Sequence, residues 1–122
     1  MTSRPCAVGV GLRAGAEAAV IAAAVRESLG DFAVACLATV DRRADEPGLV
    51  AAAELLGVPV VVFTADELAR VVVPNPSART AAAVGTPSVA EAAAVLASGG
   101  GELVVRKTVV GGITFAAAMI HR

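Results

Sequence analysis

Five charged residues crowd one short segment of a chain that is otherwise poor in charge. The segment runs from Asp41 to Gly48, whereas charged residues make up only 17% of the whole chain. An arginine here can clamp a carboxylate, and a carboxyl group here can transfer a proton. We therefore take Arg43 as a candidate for substrate binding, and Asp41 and Glu46 as catalytic candidates. The alternative interpretation is a solvated loop that also caps the following helix.

A glycine-rich segment, Gly9-Val-Gly11-Leu-Arg13-Ala-Gly15, follows a strand-like run and precedes a helical one. The third glycine comes one residue later than in the dinucleotide fingerprint, so the spacing argues against NAD or FAD. Glycines expose backbone N–H groups at a helix N-terminus, and Arg13 adds a charged donor. Gly9, Gly11, Arg13 and Gly15 are therefore candidates for an anion site. A tight turn without a ligand is the alternative.

Two proline-containing turns and one lysine complete the set of candidates. The turns offer amide, hydroxyl and backbone groups to a substrate, although ordinary turns and helix caps use the same residue types. Their candidate residues are Asn75, Ser77, Gly85, Thr86 and Ser88. Lys107 is the only lysine of the chain, and it ends an apolar strand-like run. Such a lysine is either solvated or available for an anion contact or for chemistry at a carbonyl group.

The composition excludes several classes of function. The formal net charge of -1 lacks the basic excess that a nucleic-acid surface needs. Aromatic residues make up 2% of the chain and leave no platform on which bases could stack. Cys6, Cys36 and the single His121 lack the spacing of metal ligands, so we expect no metal site and no cofactor. Both cysteines lie in apolar runs, which predicts two buried free thiols.

The N-terminal segment lacks the charged, apolar and cleavage regions of a secretory leader. No apolar run reaches the roughly 18 residues that a membrane span requires. We therefore expect a cytoplasmic protein that makes no membrane contact.

The elements that must position these residues alternate along a single domain, 1–122. Short β-branched runs predict strands at Ala7–Leu12, Ala33–Val40, Pro59–Phe63, Glu102–Lys107 and Ile113–Met119. Alanine-rich stretches predict helices at Glu17–Leu29, Pro47–Leu56, Thr64–Arg70, Ser77–Ala83 and Ser88 to about Ser98. Asp45 is the predicted cap of the second helix, and the third and fifth helices open with the residue pattern of a capping box.

Strands that are apolar on both faces and separated by helices predict a sheet covered on both sides. The first three strands should be parallel, and a terminal hairpin should make the five-stranded sheet mixed. The loops after parallel strands leave from one edge of the sheet, where ligands of open α/β sheets bind. Arg13 and Arg43 should therefore share one rim, with Lys107 reaching it from the fourth strand.

Taken together, the candidate segments resemble those of one known family. They are Gly9-Val-Gly-Leu-Arg-Ala-Gly15, Val40-Asp-Arg-Arg-Ala-Asp-Glu-Pro-Gly-Leu49, Val73-Pro-Asn-Pro-Ser77, Val84-Gly-Thr-Pro-Ser-Val-Ala-Glu-Ala-Ala-Ala94, Lys107 and Gly111-Gly112. Their order and spacing resemble the CobE / CbiG C-terminal domain family of cobalamin biosynthesis, and most of all the stand-alone CobE. The resemblance implies a three-layer α/β/α domain with a mixed sheet, and a role in building the corrin ring. Leu12 stands where family members often carry cysteine, so thiol chemistry at this position is excluded.

The resemblance supports three hypotheses about function. The first is a protein that binds a polycarboxylate corrin or precorrin intermediate as a carrier or accessory factor. The second is an enzyme that, like CbiG, opens a lactone of cobalt-precorrin-5A and releases acetaldehyde, with Asp41 or Glu46 activating water and Lys107 as the electrophilic donor. The third, which rests on the high apolar content of the chain, is a structural partner of another corrin-pathway enzyme.

The sequence leaves open the pathway branch, the intermediate and its cobalt status, and whether the protein is catalytic. The high apolar content, 57% of the chain, also predicts a weak homodimer, because so small a domain cannot easily hide this many apolar residues.

Overall fold

The computed structural model describes residues 5–11, 17–30, 32–41, 45–70, 89–110 and 113–120 of the chain. The described strands are β1 (Pro5–Gly11), β2 (Ala33–Val40), β3 (Val60–Phe63), β4 (Leu103–Val110) and β5 (Ile113–Met119). The described helices are α1 (Ala18–Leu29), α2 (Pro47–Leu56), α3 (Ala65–Ala69) and α4 (Val89–Ala97). The predicted helix at Ser77–Ala83 lies outside the described residues.

The five strands form one mixed sheet in the order β3-β2-β1-β5-β4. Strands β1, β2 and β3 are parallel, whereas β5 runs antiparallel to both β1 and β4. Two residues separate β4 from β5, and Val110 pairs with Ile113, as in a tight hairpin. The predicted five-stranded, mostly parallel mixed sheet is confirmed, with β1 at its centre.

Helices α1 and α2 cover one face of the sheet. Alternate residues of each strand point to this face, so Val8, Val10 and Leu37 share a core cluster with Ile21 and Leu49 of the two helices. The buried positions of α1 recur at the three- and four-residue intervals that place side chains on one side of a helix. They are Ile21, Ala22, Ala24, Val25 and Leu29.

Helices α3 and α4 cover the opposite face, which completes the predicted three layers. Leu68 of α3 and Ala92 and Ala93 of α4 cluster with Ala38 and Val40 of β2. A second small cluster joins α4 to β5 through alanines, among them Ala94 and Ala116. Because these side chains are short, α4 lies close to the sheet.

The ends of the second helix show one confirmed and one wrong prediction. Gly57 ends α2 in the left-handed conformation with φ 72°, which glycine adopts without strain, and its N–H donates to backbone oxygens of the last turn. The predicted cap, Asp45, is not the N-cap residue. Glu46 holds this position, and its side chain makes no capping hydrogen bond.

The fourth strand differs from its predicted bounds. We expected it to end at Lys107, but β4 continues to Val110 and places Lys107 inside the strand. The apolar pair Val109-Val110 belongs to the strand because it pairs with Thr114 and Ile113 of β5. Within the described residues, no helix is long and apolar enough to cross a membrane.

Candidate functional site

The carboxyl ends of the three parallel strands lie at the same edge of the sheet, which we call the carboxyl edge. Gly11, Val40 and Phe63 are the last residues of these strands. Helices α2 and α3 begin shortly after β2 and β3 end, so their N-termini lie toward this edge. Helix α1 ends just before β2 begins at the opposite edge, and its N-terminus therefore lies toward the carboxyl edge too.

Helix α4 also directs its N-terminus toward the carboxyl edge. Its first turn lies over Gly9, near the end of β1, and the serine that follows its last turn bonds to the segment leading into β4. Ser98 accepts the N–H of Gly101 over 2.8 Å and donates to the Val95 carbonyl, also over 2.8 Å. The N-termini of all four described helices thus lie toward one edge, where their partial positive charges favour an anion.

Gly9 allows this close approach of α4 to the sheet. A Cβ atom at Gly9 would overlap the backbone oxygen of Ala90 and come within 2.8 Å of the backbone nitrogen of Ala94. The missing side chain is therefore explained by helix packing, with no need of a ligand. A substrate contact at Gly9 remains a prediction.

Gly11 lies in more open surroundings at the end of β1. A Cβ atom there would make only an ordinary contact, 3.8 Å from Cβ of Thr114. The residue is half-buried, so its backbone is the part of the glycine-rich segment that the structure places at the carboxyl edge. Arg13 and Gly15 lie outside the described residues.

Thr39 is a buried polar residue at this edge that the sequence reasoning missed. Its side chain is fully buried, and its hydroxyl donates to the Val10 carbonyl over 2.9 Å. Gly9 and Ala38 are the last residues of β1 and β2 that pair in the sheet. The bond between Thr39 and Val10 therefore joins the two strands one residue further on. Thr39 is the only residue with a hydroxyl group in the apolar strand β2. This isolated hydroxyl was the feature of the sequence from which a buried hydrogen bond could have been predicted.

The two predicted catalytic carboxyl groups lie in different surroundings. Asp41 follows β2 directly and is exposed to solvent. Glu46 is half-buried at the start of α2, and its backbone oxygen accepts the N–H groups of Leu49 and Val50. Its Oε2 atom is buried and has no hydrogen-bond partner within the part of the chain that the structure describes. A buried carboxyl oxygen without a hydrogen-bond partner is costly, so a donor group close to this atom would stabilise it.

Lys107 is exposed on β4, two strands away from β1. It lies beside Ala116 of β5, which pairs with Gly9 of β1. Neighbouring strands are about 4.8 Å apart, which puts the Lys107 backbone about 10 Å from β1. This separation is within the reach of a large planar ligand that also contacts the carboxyl edge.

The remaining predicted site residues lie outside the described residues. They are Arg43, Asn75, Ser77, Gly85, Thr86 and Ser88. Their roles in substrate binding stay predictions, as does the shared rim of Arg13, Arg43 and Lys107. Of the candidates, the structure describes Gly9, Gly11, Asp41, Glu46 and Lys107.

The two cysteines are buried free thiols, as predicted. Burial raises the pKa of the Cys6 thiol. Burial also raises the pKa of Cys36, although a hydrogen bond from the Val8 backbone opposes this effect. Because the thiolate is the reactive form, neither residue suits nucleophilic chemistry at neutral pH. Within the described residues, no group of three or more potential metal-ligating side chains occurs.

Comparison with protein families identifies the relationship that this architecture suggests. The family model described as "Cobalamin synthesis G C-terminus" matches residues 6–118. The chain belongs to this family. The predicted resemblance to the CobE / CbiG C-terminal domains is therefore confirmed, and the protein is a member of a cobalamin biosynthesis family.

A curated relative of the chain is the cobalt-precorrin-5A hydrolase of Priestia megaterium. It is 30% identical over 119 residues, which cover 93% of this chain and 32% of the relative. The chain thus spans about a third of the length of that enzyme.

Two solved structures of cobalamin biosynthesis proteins share the fold. CobE superposes with a TM-score of 0.75 at 30% identity, covering 97% of this chain and 92% of that one. The protein chiG from Agrobacterium tumefaciens superposes with a TM-score of 0.74 at 34% identity, covering 96% of this chain and 99% of that one. These likenesses confirm the predicted α/β fold class.

Proposed function

We propose that the protein binds a corrin or precorrin intermediate of cobalamin synthesis, as a carrier or as an accessory factor for the pathway enzymes. Such intermediates carry acetate and propionate carboxylates around the ring, so their binding site needs anion donors. The observation that supports the proposal best is the common direction of the four helix N-termini toward the carboxyl edge. The first turn of a helix has N–H groups without partners inside the helix and a partial positive charge of about one half, although the capping box of α3 already uses the N–H of Glu67.

Lys107 adds a full positive charge to one side of this surface. Its exposed position on β4 leaves the ammonium group able to meet a carboxylate at the rim of a bound ring. The acidic residues Asp41 and Glu46 would repel a ligand carboxylate close to the N-terminus of α2. They favour instead a ligand whose carboxylates lie toward α4 and β4, with a neutral or hydrogen-bond-donating part toward Glu46.

The binding proposal is tested by titrating the purified protein with hydrogenobyrinic acid and following the visible spectrum of the corrin. We expect a saturable change at micromolar protein. Lys107→Ala should weaken binding by about 1–3 kcal/mol, which is the usual contribution of a charge-assisted hydrogen bond. The dissociation constant would then rise roughly 5- to 150-fold.

Arg26→Ala is the matched control for loss of one cation. Arg26 lies in the last turn of α1, at the end of that helix remote from the carboxyl edge, and its guanidinium donates to the Leu55 carbonyl. This variant should bind the corrin as the unaltered protein does. A spectrum that does not change at any protein concentration contradicts the proposal, and co-purification of a corrin methyltransferase without pigment would then favour a structural partner.

A second candidate function is lactone hydrolysis of the kind named for the Priestia megaterium relative. It is favoured by the buried Oε2 atom of Glu46, which has no partner within the described residues. In this reaction Glu46 removes a proton from water while the water oxygen attacks the lactone carbonyl carbon. The ester C–O bond breaks, and the leaving oxygen takes up the proton that Glu46 has accepted.

Incubation with cobalt-precorrin-5A separates the two functions, with assays for the carboxylate that lactone opening produces and for acetaldehyde, which forms when a carbon–carbon bond of the opened product breaks in a later step. If the protein hydrolyses the lactone, Glu46→Gln should lower the rate by about 100-fold or more, because the amide cannot accept the proton. Asp41→Asn tests the other catalytic candidate, and Glu54→Gln, which alters an exposed carboxylate of α2, is the matched control that should retain the rate. Saturable corrin binding without either product would leave the carrier role and exclude the hydrolase.

A further inference from the structure

Strand β4 contains a bulge at the position of Lys107. Ala117 and Phe115 of β5 pair with Val105 and Thr108 of β4. One residue lies between the two pairs on β5, whereas two residues lie between them on β4. Arg106 and Lys107 therefore lie opposite one residue, Ala116. A bulge of this kind removes backbone groups from the ladder and changes the direction of the side chains that it carries.

Two backbone groups at this bulge are bonded to side chains. The N–H of Lys107 donates to Oε2 of Glu91 over 3.2 Å. The hydroxyl of Thr108 donates to the carbonyl of Arg106 over 2.7 Å. Both residues of the bulge thus have a backbone group bonded to a side chain. The bond to Glu91 joins β4 to helix α4.

The helix that supplies Glu91 is itself anchored to the centre of the sheet. Glu91 lies in the first turn of α4, next to Ala90, whose backbone approaches Gly9 of β1 so closely that no side chain would fit. An edge strand has partners on one side only and opens more easily than the sheet centre. The Glu91 bond therefore connects the backbone of an edge-strand residue to a helix that packs directly against the central strand.

We propose that Glu91 is a positioning residue, which fixes the β4 bulge through the Lys107 N–H and so holds the Lys107 side chain toward the corrin site. The inference rests on the proposed function, because it gives Lys107 its ligand contact. Glu91 acts here through the lysine backbone and does not itself touch the ligand.

The positioning bond is tested first without any ligand, by NMR-detected hydrogen exchange of the Lys107 amide. Exchange should become about tenfold faster or more in Glu91→Ala, because the acceptor is lost, and should stay slow in Glu91→Gln, whose amide oxygen still accepts. Glu91→Leu keeps a side chain of similar bulk without an acceptor, and it replaces Glu91→Ala should that variant fail to fold. Glu54→Ala removes an exposed carboxylate from α2 and serves as the matched control. Equal protection of Lys107 in all variants overturns the proposal.

Corrin titration then separates positioning from a merely structural role. Glu91→Ala should weaken hydrogenobyrinic acid binding roughly 5- to 30-fold, and Glu91→Gln should restore most of the affinity. In a Lys107→Ala background, Glu91→Ala should produce no further loss, because its effect passes through the lysine. An equal loss in both backgrounds would mean that Glu91 supports α4 only, and would overturn the proposal.

The two proposals fail in different ways. Absence of corrin binding by the unaltered protein contradicts the proposed function, whereas the amide-exchange result still decides whether Glu91 fixes the bulge. Normal corrin binding by Lys107→Ala would contradict the role of the lysine and with it the role of Glu91 in binding.

Discussion

At the scale of single residues, two residues of the same type close together in the sequence can have different surroundings, so that one serves packing and the other is free for a functional role. Gly9 and Gly11 belong to the same strand, yet one is covered by the backbone of α4 and the other has room for a side chain. Asp41 and Glu46 lie in the same charged segment, yet only Glu46 has a buried carboxyl oxygen without a partner among the described residues. Residue type alone therefore did not determine the role of either member of these pairs.

The contrast between the two glycines gives a direct test of the packing role. Gly9→Ala should destabilise the domain by about 1–3 kcal/mol, because the added methyl group must displace the backbone of α4. Gly11→Ala should change the stability little, since its Cβ meets Thr114 at an ordinary distance of 3.8 Å. Urea denaturation followed by circular dichroism measures both. Equal midpoints for the two variants would contradict the assigned packing.

The buried thiols predict how stability depends on alkaline pH. Burial keeps the pKa of Cys6 and Cys36 above the ordinary value of 9.0 in the folded chain. The free energy that the buried neutral thiols contribute to stability is fully present at a pH below the pKa that these thiols have in the unfolded chain. It is lost as pH rises through the folded pKa, because the unfolded chain releases the protons first.

We expect the free energy of unfolding to fall above pH 9 by up to about 1.4 kcal/mol per pH unit for each thiol. Urea titrations between pH 8 and pH 10.5 measure the slope. The variant with both Cys6→Ala and Cys36→Ala is less stable throughout but should lose most of this slope. An unchanged slope in that variant would assign the pH dependence to other groups.

At the scale of elements, short helices depend on their ends. Helix α3 contains only five residues, too few to be stable by itself. Thr64 accepts the N–H of Glu67 over 3.1 Å, and Glu67 accepts the N–H of Thr64 over 2.8 Å. This capping box, which the sequence predicted, and the buried Leu68 side chain fix α3 directly after β3.

Removing one partner of the capping box tests its contribution. Thr64→Ala should lower the free energy of unfolding by about 1 kcal/mol, and Thr64→Ser should restore most of the loss because it keeps the hydroxyl. Thermal and urea denaturation measure the difference. Matching stabilities for the alanine and serine variants would show that Leu68 alone holds α3 in place.

The elements also show how far the sequence could predict the structure. The bounds of β2, α2 and β5 were predicted correctly, because glycine, proline and charged residues flank these apolar runs. The bulge at Arg106 and Lys107 was not predicted, since its bonds to Glu91 and Thr108 include one from a separate helix. The packing role of Gly9 was missed for a related reason. A ligand and a helix both require the absence of a side chain, and local sequence does not distinguish them.

At the scale of the whole molecule, the two outermost strands of the described sheet, β4 and β3, differ. Strand β4 is long but bulged, and it carries the exposed charges of Arg106 and Lys107, which oppose pairing with another strand. Strand β3 has four residues and leaves Val62 44% exposed. Other exposed apolar side chains include Val50 and Leu55 of α2.

The weak homodimer stays a prediction at this scale. Light scattering should show an average mass that rises with concentration in the high micromolar range. Leu55→Glu should shift the rise to higher concentration, because Leu55 is the most exposed large apolar residue of α2, at 56%. Val89→Glu is a control substitution on the opposite side of the sheet. A monomer mass at every concentration would contradict the prediction.

The pairing of β1 with β5 has a consequence for how the protein is made. Strands β1, β2 and β3 can assemble as soon as they are synthesised, but the second side of β1 pairs with β5, which follows all the other described strands in the sequence. Until then the central strand presents an open row of N–H and carbonyl groups to other nascent chains. Long-range pairing of this kind is slow. We expect folding to finish only after the β4–β5 hairpin has left the ribosome, and chaperones to be most useful in the interval before it does.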